Sequence, residues 1–483
     1  MGGGLKKEQL FTLQEVIGVL SPVETINLKG DIPVFSVAID SREVESGGLF
    51  VPLPGRFTDG HNFIGDATKK GAAAVLIARD KLNQAREEII GPLISSPSAG
   101  IVVKSPLKAM QALGGYYMRK VLPKIRIGIT GSNGKTTTKE LLAGMLSREF
   151  ETVSNEKNLN SEIGLPLSVF RISKRHSHAV FELATNHPGE MSLLSDIFKP
   201  NIAVITNIGR AHMGYFGSVE GIAKEKRSIF ENLKEIDGER GMAFLFEDEP
   251  MFKILTDSID ARIISFGPRT TNGFEGVEDL GLDGQIIHWE GLQIRFPLAG
   301  RHNLLNALAA MTVAKTIGVS RESISNALEE YRPLFGRSQV IRDHVTILFD
   351  CYNANPESVL QMISFLKGLR WKGRKVAVLG PMFELGDYSE KNHLEVARAS
   401  ITAGLDTVVL FGEEFMGARK ALYDEQNSGE AGRVFWYSDF EELKRDIAKL
   451  VREGDVVLLK GSRGVEMERL LPAILPASKI NTG

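Results

Sequence analysis

Apolar residues alternate through Ile125, Ile127 and Ile129, and the pattern then breaks into Gly131-Ser132-Asn133-Gly134 before Lys135–Leu146, whose residues suit a helix. This predicts a buried strand that feeds a tight turn and opens a helix. Residues 178–184 and 202–208 are nearly all apolar, as strands covered on both faces of a parallel sheet are. Strand and helix patterns alternate throughout 121–334, which indicates a parallel sheet. A weaker β-rich stretch follows at 263–297, then a helix at 302–317.

The same alternation appears on either side. Residues 35–39, 48–53 and 72–78 read as strands of a small N-terminal α/β unit, 1–120. Residues 345–349, 376–379, 408–411 and 456–459 read as strands of a third α/β unit, 335–483, with an amphipathic helix at 356–366. Tyr331-Arg332-Pro333-Leu334-Phe335-Gly336-Arg337 reads as the linker into it, because Pro ends the preceding helix. The expected fold is therefore α/β with a central parallel sheet and a smaller unit at each end.

Length agrees with this, since 483 residues suggest roughly three domains at about 150 each. A net charge of −2 gives no basic field for nucleic acid. Cys351 is the only cysteine, which excludes an internal disulfide framework and a cysteine-rich zinc site. No run approaches the roughly 18 apolar residues of a membrane span. Glu8, Gln14 and Glu15 interrupt a secretory core, and Lys6 breaks the myristoylation pattern. The expectation is a soluble cytoplasmic protein with neither nucleic acid nor membrane as partner.

The chemistry concentrates around the glycine turn. A strand–glycine turn–helix unit can cradle phosphate: Gly131 and Gly134 let the backbone approach an anion, and the helix N-terminus offers free N–H groups. Lys135 would reach the outer phosphates and the Thr136 hydroxyl would sit on Mg²⁺. Glu182 lies at the end of one predicted central strand, with Asn207 and His212 just beyond another. Ligands of such sheets bind at these ends, so the glycine turn, Glu182 and His212 can converge on one crevice.

In the helix expected at 219–233, Val219, Ile222, Ala223, Ile229, Phe230 and Leu233 form one apolar stripe, and Lys226 falls on it. Lys224, Glu225 and Arg227 are expected to face solvent. Lys226 either snorkels, or burial lowers its amine pKa so that it reacts with CO₂ to give a carbamate able to bind Mg²⁺. Polar loops supply further candidates. Asp40-Ser41-Arg42 and the 54–61 run, with Arg56 and Phe57, can hold a phosphate or base or simply connect strands. Asp350 can serve a ligand or cap the helix after Asn353 and Asn355, and Lys460, Ser462 and Arg463 suit a carboxylate or phosphate.

With these residues in place the chain resembles the Mur ligases, the ATP-dependent amide-forming enzymes of peptidoglycan precursor synthesis. The likeness rests on Thr130-Gly131-Ser132-Asn133-Gly134-Lys135-Thr136, Asn158 and Asn160 with Gly164 and Pro166, Glu182 with Asn186 and His187, and Thr206-Asn207. It continues through Ala211-His212, Lys226, Gly300-Arg301-His302-Asn303 with Asn306, Asp350 to Pro356, Glu384 to Gly386, and Lys460 to Arg463. Ala184 and Pro381 depart from it, standing where a glycine and an acidic residue are usual.

The resemblance implies three domains: an N-terminal one for a UDP-sugar, a central P-loop-type ATPase, and a C-terminal Rossmann-like one for the incoming amine. Its nearest branch implies UDP-MurNAc-tripeptide and D-Ala-D-Ala as substrates, ATP and two Mg²⁺ as cofactors, and a bacterial, monomeric enzyme. The nucleotide would be bound by residues 131–137 (through Thr137), Asn303, Asn306, Arg337 and Asp350. Thr136 and Glu182 would hold the first metal, His212 and carbamylated Lys226 the second. Ser41, Arg42, Asn158, Asn160, Asn353, Asn355, Lys460, Ser462 and Arg463 would contact substrate.

Overall fold

The computed structural model describes residues 8–55, 57–231, 233–420 and 433–476, so Lys6 and Arg56 lie outside the described residues. The first unit holds a five-stranded sheet in the order Glu24–Ile26, Ala99–Val103, Ala74–Ala78, Gly48–Phe50, Ser36–Ala38. Its three inner strands, Ala99–Val103, Ala74–Ala78 and Gly48–Phe50, are buried along their whole length. The helix Pro106–Val121 starts on Ser105, whose side chain accepts from the Lys108 N–H, with Pro106 in the first turn where it loses no bond. Its inner face belongs to the same hydrophobic cluster as Leu165, Val169, Phe170 and Ile197 of the following residues. Phe11, Tyr117 and Phe170 meet edge to face there.

The central sheet is wholly parallel and runs Arg262–Phe266, Met242–Phe246, Ile202–Ile205, Ile125–Thr130, His178–Glu182, Thr152–Ser154. Its register sets Glu182 beside Ile129, and Ile205 beside Thr130. One edge of the sheet thus brings Thr130, Glu182 and Thr206 level. Both apolar runs leave the sheet earlier than their composition predicts. The Ala184 N–H donates to the Asn160 carbonyl, and the Ile208 N–H to the Glu249 carboxylate, so each chain turns away to bind a loop. The helices Lys135–Leu146 and Arg301–Thr316 cover one face and share a core with Trp289, Ile294 and Phe296. Those three residues belong to an antiparallel sheet of Phe274–Asp279, Gln285–Trp289 and Leu292–Phe296, so the weak β stretch divides between two sheets.

The third sheet runs Gln339–Arg342, Thr346–Phe349, Val456–Lys460, Lys375–Leu379, Thr407–Phe411, Arg433–Tyr437, with its first strand antiparallel. Arg374 forks onto Asp455 at 2.6 and 3.1 Å where the carboxylate is almost fully buried. Breaking such a pair leaves a charge without compensation, so Arg374→Ala should lose about 3 kcal/mol, measured by urea denaturation. No helix among the described residues is long and apolar enough to cross a membrane.

Candidate active site

The aligned strand ends open into a cleft of about 540 Å³ between the central and third sheets. Six consecutive residues of the glycine turn, 132–137, line it, as do Asn158, Asn160, Glu182 and His212. Asn303, Asn306, Arg337, Asp350, Asn353, Asn355 and Lys460 also line it. A second cavity of about 290 Å³ shares Asn158, His212, Asn353 and Asn355 with it and adds Glu384, Phe383, Ser462 and Arg463. A third, of about 550 Å³, opens between Thr136, Asn158 and the 334–337 segment, with the buried Cys351 in its wall. Ser41 and Arg42 are not among the residues lining these cavities; Arg42 is exposed and pairs with Asp40 at 2.6 Å.

The turn owes its shape to two glycines at positive φ, Gly131 at 147° and Gly134 at 76°. A Cβ at Gly131 would fall 1.9 Å from the Thr206 hydroxyl, and one at Gly134 2.1 Å from the Asn306 amide oxygen. Only glycine fits either place. The Thr206 hydroxyl donates to the Asn133 carbonyl at 2.5 Å, and the Asn133 N–H donates to Asn207 Oδ1 at 3.1 Å. The turn is therefore held open by the neighbouring strand's end.

Lys135 folds back over this turn, its Nζ donating to the Gly131 carbonyl at 2.9 Å. Burial pushes its pKa down, and Arg337 adds to that, while Glu182 acts in the opposite direction. The Thr136 hydroxyl donates to Glu182 Oε2 at 2.6 Å, and Asn160 Nδ2 donates to Oε1 at 2.8 Å. Asn155 fixes the backbone of the same glutamate, accepting from its N–H and donating to its carbonyl, each at 2.9 Å. Buried Lys139 in turn donates to the Asn155 carbonyl at 2.5 Å. Neither Asn155 nor Lys139 stands out in the sequence, because Asn155 acts through Glu182 and Lys139 through Asn155.

Lys226 is buried, as its place on the apolar stripe predicts. Among the described residues its ammonium has no hydrogen-bond or ion-pair partner. Burial, and secondarily the nearby charge of Lys135, push its pKa down to about 7, against the opposing pull of Glu225 and Glu182. Glu225 corrects the expectation of a solvated neighbour. It is buried and accepts from the N–H groups of Gly189 and Met191, both at 2.7 Å. Those donors belong to the N-terminus of the helix Glu190–Phe198, whose unpaired N–H groups and dipole compensate a carboxylate that periodicity alone assigns to solvent.

His212 has left-handed backbone, φ 61°, and its Nδ1 meets the Glu384 carboxylate. That contact, with burial opposing it, holds the Glu384 carboxyl below its usual pKa. Asp350 does not cap the helix Pro356–Gly368; Asn355 does, with Ser358 completing a capping box. Asn355 also donates from Nδ2 to Asn133 Oδ1 at 2.7 Å and so reaches the glycine turn. Asp350 accepts from Lys460 Nζ at 2.6 Å and from the Ser338 N–H at 2.9 Å. Burial opposes its charge, but the ammonium outweighs this and keeps the carboxyl below its usual range.

His302 stands beside this pair, where burial lowers its pKa to about 4, so it is neutral. Arg463 pairs with Glu468, while Ser462 accepts from the Phe383 N–H at 3.0 Å. Arg337 stacks over Tyr352 at 3.8 Å. Glu249, which sequence patterning missed, closes the cleft from the loop after Met242–Phe246, a strand the pattern also missed.

Comparison with known proteins agrees with this geometry in all three parts of the chain. Residues 34–117 match the family description "Mur ligase family, catalytic domain", 129–314 the "Mur ligase middle domain", and 336–463 the "Mur ligase, glutamate ligase domain". A UDP-N-acetylmuramoyl-tripeptide--D-alanyl-D-alanine ligase of Treponema pallidum is 36% identical over 96% of this chain and 99% of its own length. The Bacillus subtilis protein of the same name is 32% identical over 92% of this chain and 93% of its own. Among solved structures, a MurF crystal structure from Acinetobacter baumannii superposes with a TM-score of 0.84 at 29% identity, covering 97% of this chain and 99% of that one. MurF ligase from Thermotoga maritima in complex with ADP gives 0.75 at 29% identity over 91% and 96%. By full-length similarity to such relatives, the chain belongs to the Mur ligase family.

Proposed function

We propose that this chain is an ATP-dependent ligase that joins D-Ala-D-Ala to the terminal carboxylate of UDP-MurNAc-tripeptide, giving UDP-MurNAc-pentapeptide, ADP and phosphate. The observation that carries this reading is the shared wall of Asn158, His212, Asn353 and Asn355 between the phosphate cleft and the second cavity. A phosphorylated carboxylate made in one is within reach of an amine held in the other. The names of the relatives support the same pair of substrates. Phosphoryl transfer to the tripeptide gives an acyl phosphate, the dipeptide amine attacks its carbonyl carbon, and the tetrahedral intermediate expels phosphate. Such chemistry asks the protein mainly for positioning and charge neutralisation.

The residues fit those tasks. Glycine-turn N–H groups and Lys135 take the phosphates, and Asn303 and Asn306 line the cleft for the nucleotide. Asp350, held charged by Lys460, contributes from the third unit. Thr136 and Glu182 suit Mg²⁺, because that ion needs only one or two protein oxygens once phosphate oxygens and water complete its shell. His212 and Lys226, carbamylated on its unpaired amine, suit a second. Bound there, the ions would neutralise the charge that develops on the transferred group. Ser41 and Arg42 serve the UDP-sugar at a distance from the cleft. The enzyme works in the bacterial cytoplasm, as a monomer, where ATP is at hand.

Phosphate release measured over a matrix of donors and acceptors tests the reading. Release should require UDP-MurNAc-tripeptide and D-Ala-D-Ala together, with single amino acids poor acceptors because the second residue's binding energy is lost. Faster turnover with a single amino acid, or with UDP-MurNAc-dipeptide, overturns the substrate assignment. Arg463, freed from Glu468, can fork onto the dipeptide carboxylate. Arg463→Ala should therefore raise the acceptor KM about tenfold, the size of one charge-assisted bond, and leave the ATP KM unchanged.

A further inference from the structure

Arg210 lies between Asn207 and His212 and is not among the residues lining the three cavities. Its backbone N–H donates to Glu357 Oε2 at 2.9 Å and its Nε to Glu357 Oε1 at 2.6 Å. Nη1 donates to Asn392 Oδ1 at 2.8 Å and to Glu395 Oε2 at 2.5 Å, and Nη2 to Glu395 Oε1 at 3.2 Å. Glu357 belongs to the helix Pro356–Gly368 and the other two to Ser389–Thr402, so one guanidinium gathers two helices of the third unit. An exposed pair of two flexible chains contributes little. Here a half-buried planar fork meets three partners, and its loss leaves two carboxylates without their shared cation.

The same loop grips the phosphate turn from its other side. The Gly209 N–H donates to Ser132 Oγ at 2.8 Å, and that hydroxyl donates back to the Gly209 carbonyl at 3.1 Å. A Cβ at residue 209 would sit 3.1 Å from the Glu357 carboxyl carbon, so glycine lets the carboxylate lie flat on the loop. Two residues beyond His212 the seam continues. The Gly214 N–H donates to the Glu384 carbonyl at 3.0 Å, and a Cβ there would be 2.9 Å from the Gly386 nitrogen. The Tyr388 hydroxyl donates to the Gly217 carbonyl at 3.0 Å.

We propose that Arg210 is a positioning residue that docks the third unit onto the phosphate turn and so sets the acceptor cavity against the phosphate cleft. It touches neither nucleotide nor acceptor; it acts through the 207–212 loop and the two helices. Its effect on acceptor use rests on the ligase reading above, whereas its effect on docking does not.

The test compares full-length wild type with Arg210→Ala, Arg210→Lys and Glu395→Ala, by small-angle scattering without ligands and by steady-state kinetics. Arg210→Ala should enlarge the radius of gyration. It should also lower kcat/KM for D-Ala-D-Ala by about tenfold or more, the size of losing a charge-assisted hydrogen bond, and keep the ATP KM within about twofold. Arg210→Lys, which keeps the charge but not the fork, should fall between. Adding Glu395→Ala to Arg210→Ala should cost nothing further, since both remove the same contact.

Unchanged scattering with unchanged acceptor kinetics in Arg210→Ala overturns the proposal, as do losses that simply add. Should Arg210→Ala fail to fold by its thermal transition, Arg210→Lys and Glu395→Ala carry the same comparison. If wild type ignores D-Ala-D-Ala while Arg210→Ala still expands, the ligase reading fails and the docking role stands.

Discussion

Lys226→Ala should lose about a thousandfold in turnover, the scale of removing one electrostatic stabiliser from a preorganised site, and acetate should restore part of it. The reason lies in where the amine sits. It is buried, without a partner among the described residues, and its pKa is pushed down to about 7 by desolvation and then by Lys135. An ordinary lysine holds its proton to about 10.4 and offers very little free amine to CO₂ near neutrality. Here the free amine attacks the carbon, the proton leaves to solvent, and the product is a carbamate that acetate can imitate. Labelled CO₂ trapped on the protein should therefore rise as pH passes through about 7.

The same shift predicts a stability slope with a definite sign. Above pH about 7 the folded lysine has lost its proton, while the unfolded one keeps it to about 10.4. The unfolded chain binds more protons in that window, so the unfolding free energy rises with pH across it. Urea titrations of CO₂-free protein should show this slope, and Lys226→Met should remove it. Absence of trapped label together with no response to acetate rejects the modified-lysine reading.

Much of this site was legible because the sequence writes it in short local patterns. The alternation through Ile125, Ile127 and Ile129 marks its strand, Gly131 and Gly134 its turn, and Lys135–Leu146 is a helix with the bounds the pattern predicts. Lys226 could be singled out because helical periodicity places an amine where only an apolar group is expected. The fate of Glu225 was not legible. Its compensation comes from the N-terminus of Glu190–Phe198, a tertiary contact that periodicity does not record. Edge strands such as Gln339–Arg342 and Thr152–Ser154 were missed because none of their residues is fully buried and they lack a continuous apolar run. Nothing in the sequence singles out Arg210, because its partners lie on helices well over a hundred residues away in the chain.

Lys135→Ala should also lose most activity at saturating ATP, by about a hundredfold or more, because a fixed cation disappears from where phosphate charge concentrates. The ammonium donates to the Gly131 and Ser132 carbonyls at 2.9 and 3.4 Å, inside the turn that it serves. Those carbonyls compensate a buried charge weakly, and the lowered pKa of Lys135 reflects that burial. A phosphate group is a far better partner, and moving onto it costs the turn only two bonds. The substitution has a second consequence that mere misfolding does not share. Lys135 is one of the two causes that depress the Lys226 pKa, so its removal should raise that pKa from about 7 toward the ordinary lysine range. The pH at which labelled CO₂ appears on Lys226 should move up in Lys135→Ala and stay in place in Lys135→Arg, which keeps the charge. Near-normal turnover in Lys135→Ala rejects the phosphate role, and an unmoved labelling midpoint rejects the coupling between the two lysines.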